Sequence, residues 1–404
     1  MKKLFYLCIL ITIFSYSKSF AQKDLESKDF KEFNTYFKLS KNHEIVGKTR
    51  KKLKKILSEA QFVGLAEVHQ SQQLSYFTKG FLELLSEDCF KDFALEMGPY
   101  SAQILQNISS TSVNTSKKIQ ALNHKYGKND FPKIPLIFAD KKEDAIFIET
   151  ASERTFKFWG LDQEFEYSYV MLLDNIYNQV KNKTSEIKNL YLKSKKVLSD
   201  VNFQYKKDGI VKNCWLIEND IIQKFFNKID YDENIKNYID ALKITWDIYC
   251  KASSGKNSNQ QRADYMKSNF EKMYKKASKT KQLPKVFIKL GSLHLTHTTS
   301  PLGVNDIGKY IHDKAQNNGS KFLSFYHLTR FKDGKDLIHT KEWKNTALVL
   351  SLEKKNKWTL IDLRPIRKRI NSGELKTTDI IAYGVNAYDF ALISPDDTNG
   401  KLNY

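Results

Sequence analysis

The chain has 404 residues, and its 66 Lys and Arg outnumber 46 Asp and Glu to give a formal net charge of +20. Four cysteines are too few and too scattered for a disulfide scaffold, and no nucleic-acid-binding motif accompanies the positive charge, so we expect no nucleic-acid partner. The simpler interpretation of the charge is a solvated lysine-rich surface. The alternative is attraction to anionic envelope polymers or lipid headgroups.

The first 21 residues have the pattern of a secretory signal peptide. Lys2 and Lys3 precede an apolar run from Leu4 to about Phe14, and Ser19-Phe20-Ala21 has the small-x-small form of a cleavage site. The apolar run is short for a membrane span, and no later segment is apolar enough to be one. We therefore predict an exported protein, periplasmic or secreted, with residues 22–404 as its mature form. An uncleaved N-terminal anchor is the alternative.

The elements that follow alternate between helix and strand. Residues 22–60 are predicted to be helical and basic, because Leu53, Ile56 and Leu57 form an apolar face opposite several lysines. Short apolar runs then predict strands at Phe62–Ala66, Phe93–Glu96, Thr155–Gly160, Lys285–Leu290, Phe322–Tyr326, Thr359–Leu363 and Phe390–Ile393. This alternation predicts an α/β fold, with a largely parallel sheet flanked by helices.

A long segment without strand patterns interrupts this alternation at about residues 167–280. Its apolar residues recur at intervals of three and four, which is typical of helices. We predict a helical insertion within a single domain of residues 22–404, and we expect it to cap the open end of the sheet.

Three cysteines follow the predicted signal peptide, namely Cys89, Cys214 and Cys250. They form no CxxC pair and have no zinc-site spacing. Because their number is odd, they cannot all pair within the chain. A Cys214–Cys250 disulfide and three buried thiols fit the sequence equally well.

Ionisable residues follow four successive predicted strands. In parallel α/β sheets, ligands bind beyond the carboxyl ends of the strands, so these residues are candidates for one shared site. A single acid after a strand is more often a turn or cap residue, but the recurrence favours chemistry. In chain order, the residues are Glu67 and His69, Glu96, Asp162, and His294 with His297.

Two chemistries fit these residue types. In the first, Glu67 or Glu96 raises the basicity of a histidine, which takes a proton from water that attacks a carbonyl, and a second histidine or an arginine stabilises the oxyanion. In the second, the same side chains hold a divalent metal that activates the water. The residues alone do not distinguish the two.

The stretch "FVGLAEVHQSQQLSYFTKGFLELLSEDCFKDFALEMG" resembles the start of erythromycin esterase-like proteins, in a superfamily that includes ChaN-like haem-binding lipoproteins and TraB/Tiki proteins. Those chains begin with a strand that ends in a Gly-Glu-x-His or Gly-Glu-x-x-His motif. "FKFWGLDQ", "QQRADYMKSNF", "VFIKLGSLHLTH" and "YDFALISPDDT" resemble later motifs. The resemblance spans about residues 55–395 and implies the same fold. It also implies that the helical insertion at about residues 167–280 forms one wall of the cleft.

The resemblance also implies roles for individual residues. His69 would be the general base for water, with Glu67 and Glu96 orienting or polarising it. His294 would support the transition state. Arg262 would line the substrate pocket, where we also place Asp162 and His297 as substrate-binding residues.

Three departures from the family pattern bear on the substrate. Ala66 stands in place of the motif glycine, and Gly291 in place of the first of two histidines. Glu67 lies one residue closer to His69 than in the esterases. We therefore predict an ester- or amide-cleaving hydrolase, acting on a small molecule or envelope polymer, rather than a macrolide esterase. No cofactor is predicted. A haem- or metal-binding protein on the ChaN-like fold and a pseudoenzyme are the alternatives.

Overall fold

A sheet of eight strands forms the centre of the structure, which is a computed structural model. It describes residues 23–110, 114–127, 133–200, 212–230, 232–280, 283–341 and 343–404. The predicted signal peptide, residues 1–21, lies outside the described residues. In the part of the chain that is described, no helix is both long enough and apolar enough to cross a bilayer.

The strands of this sheet, numbered β1–β8 in chain order, are Asn34–Phe37, Ala60–Glu67, Asp92–Leu95, Lys157–Gly160, Val286–Gly291, Lys321–Thr329, Trp358–Asp362 and Phe390–Ser394. Across the sheet they follow the order β1-β7-β8-β6-β2-β5-β3-β4. All neighbours from β8 to β4 are parallel, whereas β7 is antiparallel to both β1 and β8. The predicted α/β fold with a largely parallel sheet is confirmed, and all seven predicted strands are present with shifted ends.

Strand β1 lies in the stretch 22–60, for which the helical prediction was wrong in part. Thr35, Tyr36 and Phe37 are residue types that favour a pleated, half-buried surface, and Phe37 is buried while Tyr36 is exposed. Pairing with β7 therefore outweighs the basic, helical character of the surrounding sequence. Within that stretch, the described helices are Ser27–Lys31 and Gly47–Leu57.

Helices cover both faces of the sheet. Numbered α1–α16 in chain order, they are Ser27–Lys31, Gly47–Leu57, Gln72–Glu87, Pro99–Ser109, Thr115–Tyr126, Lys142–Glu153, Tyr169–Gln179, Ser185–Ser199, Lys212–Glu218, Asp220–Lys228, Glu233–Ser253, Asn259–Ser278, Ile307–Asn317, Ala347–Leu350, Arg364–Asn371 and Asp379–Ala387. Short 3₁₀ turns lie at Glu166–Ser168, Ser292–His294 and Lys344–Thr346. Two-residue strands pair Lys23–Asp24 with Leu375–Lys376, and Phe331–Lys332 with Lys335–Asp336.

The segment predicted to be helical, residues 167–280, consists of α7–α12 in its described part. A disulfide between Cys214 and Cys250 joins α9 to α11. Cys89 is a free, exposed cysteine. Of the two arrangements that fit the sequence, the disulfide is therefore the one observed, and three buried thiols are not.

Two hydrophobic clusters pack against the sheet, one on each face. Along β2, Val63 and Leu65 belong to the first cluster, and Phe62 and Ala66 to the second. Successive strand residues point to opposite faces, so this alternation assigns the clusters to opposite sides. Every residue of β2 is buried, which explains why its sequence is nearly continuous in apolar residues.

Candidate functional site

The carboxyl ends of four adjacent strands, β2, β5, β3 and β4, meet at one edge of the sheet. Glu67 ends β2 and pairs in register with Gly291, which ends β5. Glu96 follows β3 directly, and Asp162 lies just beyond β4. Because parallel neighbours end at the same edge, side chains that are far apart in sequence converge there.

Glu67 connects a buried lysine to an accessible histidine. One carboxylate oxygen, Oε1, lies 3.1 Å from Nδ1 of His69, and the other, Oε2, accepts a hydrogen bond from Nζ of Lys289. Burial disfavours the charge of Glu67, but the charge of Lys289 and the hydrogen bond with His69 outweigh it and lower its pKa to about 2. Glu67 is therefore a carboxylate at neutral pH.

His69 is the accessible member of this pair. Its side chain is 44% exposed, compared with 5% for Glu67. Burial disfavours the imidazolium, yet the hydrogen bond and charge of Glu67, together with the charge of Glu96, outweigh it and raise the pKa of His69. A more basic imidazole whose Nδ1 faces a carboxylate can present Nε2 to a substrate or water.

Glu96 and Arg262 join the sheet edge to the helical segment. Oε1 of Glu96 accepts a hydrogen bond of 3.1 Å from Arg262, and Oε2 accepts the N–H of Gly291. Arg262, on α12, also donates from Nε to Asp162 over 2.9 Å and makes a second bond to the same carboxylate. Burial opposes the guanidinium charge, but Asp162 outweighs it and raises the pKa of Arg262. This network fixes α12 over the strand ends.

His294 stands on the other side of Glu96, in the 3₁₀ turn after β5. Its Nδ1 is 2.8 Å from Oδ2 of Asp306, and its Nε2 is 3.7 Å from Oε1 of Glu96. Burial lowers the basicity of the ring, but the Asp306 hydrogen bond and the charge of Glu96 outweigh it and raise the pKa of His294. Sequence analysis missed Asp306, because an acid before a helix is ordinarily a cap. It does cap α13 through its Oδ1.

We call Glu67, His69, Glu96, Asp162, Arg262 and His294 the strand-end cluster. Gly291 lies at its centre, because a β-carbon there would stand 3.0 Å from Oε2 of Glu96 and 3.1 Å from Cε1 of His69. Phe138 covers one face of His69, with its ring centroid 4.7 Å away. Phe138 has a φ of +64°, an unfavourable backbone for a bulky residue. No sequence signal pointed to Phe138.

His297 is not part of the strand-end cluster. Its ring stacks on His312 at 4.5 Å and contacts Phe322 near the start of β6. Nε2 is 3.5 Å from Asp389. Burial, and then the nearby charges of His312 and Arg367, lower the pKa of His297. The structure therefore brings together every other predicted site residue and places His297 elsewhere, because the chain turns away from the sheet edge after His294.

The spacing of Glu67, His69 and Glu96 bears on the metal alternative. Each offers a ligand atom within 4.8 Å of the others, which is a spacing that a divalent cation could occupy. Lys289 already binds Glu67, and Arg262 already binds Glu96. A cation would have to compete with both side-chain charges, so the donor set fits acid–base chemistry better than metal chemistry.

The sequence matches no protein-family model and no curated protein. Solved structures nevertheless share its fold. A protein from Bacillus cereus matches with a TM-score of 0.55 and 15% identity, covering 93% of this chain and 98% of the other. A histidine-to-asparagine mutant of an erythromycin esterase in its open conformation matches with a TM-score of 0.56 and 13% identity, covering 92% and 100%. A succinoglycan biosynthesis protein matches with a TM-score of 0.56 and 14% identity, covering 93% and 97%. The chain therefore has the erythromycin esterase-like fold that the motifs indicated.

Proposed function

We propose that this protein is a hydrolase in which His69 activates water for attack on an ester or amide carbonyl. The observation that carries the proposal is the Glu67–His69 hydrogen bond at the sheet edge, with Glu96, Arg262 and His294 beside it. An erythromycin esterase shares the fold of this chain. At 13% identity this likeness concerns the fold alone.

The proposed reaction begins at the ring of His69. With its Nδ1–H donated to Glu67, Nε2 accepts a proton from water while the water oxygen bonds to the carbonyl carbon. The carbonyl π electrons move to oxygen and form a tetrahedral oxyanion. The imidazolium then returns the proton to the leaving oxygen or nitrogen as the bond to carbon breaks. A positioned base of this kind typically contributes about 10²–10⁴-fold to the rate.

Two cations are placed to stabilise the oxyanion. Arg262 is held by Asp162 and Glu96, so its guanidinium needs little reorganisation during the reaction. His294 has a raised pKa, and in its protonated form Nε2 carries a hydrogen on the side that faces Glu96. Gly291 carries no side chain, which lets Glu96 and His69 lie close to its backbone. In our proposal the substrate carbonyl approaches the exposed side of the His69 ring.

The substrate is proposed by class. The signal-peptide pattern supports a location in the periplasm or outside the cell, where esters and amides of small molecules and envelope polymers are the available substrates. The departures at Ala66 and Gly291 favour a substrate other than a macrolide. Mass spectrometry of the protein exported from its host tests the location: cleavage after Ala21 supports it, and an intact Met1 contradicts it.

Screening the mature protein, residues 22–404, against chromogenic esters and amides tests the reaction class. We expect turnover of at least one ester or amide, unaffected by a chelator, since Lys289 and Arg262 occupy the carboxylates that a metal would need. Turnover that disappears with chelator and returns with a divalent metal would contradict the metal-free mechanism. A haem absorption band without turnover would contradict the hydrolase.

A further inference from the structure

Lys289 is a buried lysine inside a central strand. It lies in β5 between Leu65 of β2 and Leu95 of β3, and only 5% of its side chain is exposed. Lysine is rarely buried to this degree without a partner, because removing its charge from water is costly. Its position inside an otherwise apolar strand therefore calls for a specific role.

The ammonium of Lys289 contacts the same carboxylate that hydrogen-bonds His69, that of Glu67. Nζ binds Oε2 of Glu67, while Oε1 of the same carboxylate faces Nδ1 of His69. Both oxygens of Glu67 are thus assigned, one to the lysine and one to the histidine. The ring of Phe147 on α6 lies 5.3 Å from Nζ and packs against the lysine. The three polar groups form a chain from the sheet interior to the accessible imidazole.

Further charged groups surround this chain behind Glu67. A partly open pocket of about 20 Å³, room for roughly one water molecule, is lined by Lys289 and also by Asp140, Lys141 and Asp144. Burial and the charge of Asp140 raise the pKa of Asp144 to about 7. His327 on β6 also lies near, and burial lowers its pKa to about 3. Asp144 is an acid and His327 is neutral at neutral pH, so neither gives Glu67 a positive partner. Lys289 is therefore the buried counter-charge of Glu67.

We propose that Lys289 is a positioning residue that sets the tautomer of His69. By occupying Oε2 of Glu67, it keeps Oε1 directed at the imidazole as an acceptor. The neutral ring of His69 then carries its hydrogen on Nδ1 and leaves Nε2 open toward Gly291. In this proposal Lys289 does not contact the substrate and acts on His69 through Glu67. The catalytic consequence rests on the proposed function, but the tautomer does not.

A purely structural ion pair would behave differently. If Lys289 only neutralised Glu67, replacing it would lower the melting temperature and leave the His69 ring unchanged. If Lys289 orients Glu67, replacing it would change which nitrogen of His69 carries the hydrogen. The nitrogen chemical shifts of the imidazole report this directly, because protonated and unprotonated ring nitrogens resonate far apart.

The test uses the mature protein labelled with ¹⁵N-histidine, at a pH where His69 is neutral, with His69→Ala to assign its signals. Lys289→Met removes the charge at similar length, and Lys289→Arg restores a cation. Lys141→Met is the matched control, because Lys141 is also buried, lines the same pocket and pairs with Asp140 rather than Glu67. If Lys289→Met does not fold, Lys289→Leu removes the charge with a shorter apolar side chain.

We expect the Nδ1–H form in the wild type, Lys141→Met and Lys289→Arg, and a mixture of tautomers in Lys289→Met or Lys289→Leu. On a hydrolysed ester, Lys289→Met should lower kcat about 10–100-fold with little change in KM. An unchanged tautomer in whichever of these two variants folds overturns the positioning role whatever the activity. A changed tautomer in a protein that hydrolyses nothing upholds the positioning role and counts against the hydrolase.

Discussion

Two histidines three residues apart lie in opposite electrostatic environments. His294 faces Asp306 and Glu96 at the carboxyl ends of the strands, and its pKa is raised. His297 packs against His312 near the start of β6, and its pKa is lowered. Both are buried, and burial alone disfavours the charged form of each ring.

The difference shows that carboxylates, rather than burial, decide which histidines suit acid–base chemistry here. At the carboxyl edge, Glu67, Glu96 and Asp306 outweigh the cost of burial. Near the start of β6, the carboxylate of Asp389 is already bound by Arg367 and by the N–H of Ser324. A basic imidazole is thus available at one end of the sheet and a neutral one at the other.

Among the variants considered, removing the charge of Glu96 should have the largest effect on the basic environment around His294. Glu96→Gln leaves Arg262 with one carboxylate partner and disturbs the acceptor of the Gly291 N–H. Hydrolysis should fall about 10²-fold or more, since small misplacements of reacting groups have effects of that size. The control is Glu164→Gln, at a buried carboxyl that caps α4 through Tyr100 and Ser101. Equal steady-state rates for the two variants would contradict the role of Glu96.

Adding a single methyl group at Gly291 should have the next largest effect. In Gly291→Ala the new β-carbon would stand 3.0 Å from Oε2 of Glu96 and 3.1 Å from Cε1 of His69, closer than ordinary van der Waals contact. Both side chains must shift, so we expect about a tenfold to 10²-fold lower kcat/KM. Gly384→Ala on α16 is the control, because its β-carbon meets nothing within 4 Å. That variant should gain up to about 1 kcal/mol of unfolding free energy in urea. Unaltered kcat/KM in Gly291→Ala would show that the close approach of Glu96 and His69 to Gly291 is not needed for the reaction.

Exchanging Arg262 for lysine tests whether the shape of the cation matters as well as its charge. Arg262→Lys keeps the positive charge and loses the planar fork that binds Asp162 and Glu96 together. We expect roughly a tenfold lower kcat, with the protein still folded. Steady-state kinetics measure kcat, and a thermal melt shows whether the variant is folded. A kcat equal to that of the wild type would mean that the charge alone is sufficient.

The two histidines should also titrate on opposite sides of the ordinary value of 6.5. The raised pKa of His294 stabilises the fold below pH 6.5, and this contribution is lost as pH rises through the folded pKa. The lowered pKa of His297 acts in reverse, so its contribution is present above pH 6.5 and is lost as pH falls below it. Imidazole NMR titration measures both, and Asp306→Asn should lower the pKa of His294 alone. A common pKa for the two rings would remove the distinction.

Much of the fold followed from the sequence, because buried parallel strands are continuous apolar runs. Strand β1 was not predicted, because its four residues are too few to show a clear alternation of apolar and polar side chains. The strand-end residues lie together because β2, β5, β3 and β4 are neighbours in the sheet. The sequence predicted a parallel sheet but not this strand order. Arg262 reached the cluster from a helix, and the resemblance to known proteins was its only signal.

The remaining site residues were hidden for physical reasons. Lys289 appears as a charged exception within a strand, and its partner Glu67 is more than two hundred positions away. Asp306 stands where a helix cap is expected, so its sequence position did not indicate a second role beside His294. His297 was grouped with His294 by proximity in sequence, but the 3₁₀ turn at Ser292–His294 redirects the chain. Short spacing predicts a shared face only while the backbone stays regular.

The most direct measurement is kcat/KM for the best ester or amide in the wild type, His69→Ala and His312→Gln. His312 belongs to the neutral pair near the start of β6 and hydrogen-bonds Gln316 there. We predict a loss of about 10²–10⁴-fold in His69→Ala and wild-type values in His312→Gln. Full activity in His69→Ala would contradict His69 as the base and, with it, the central claim.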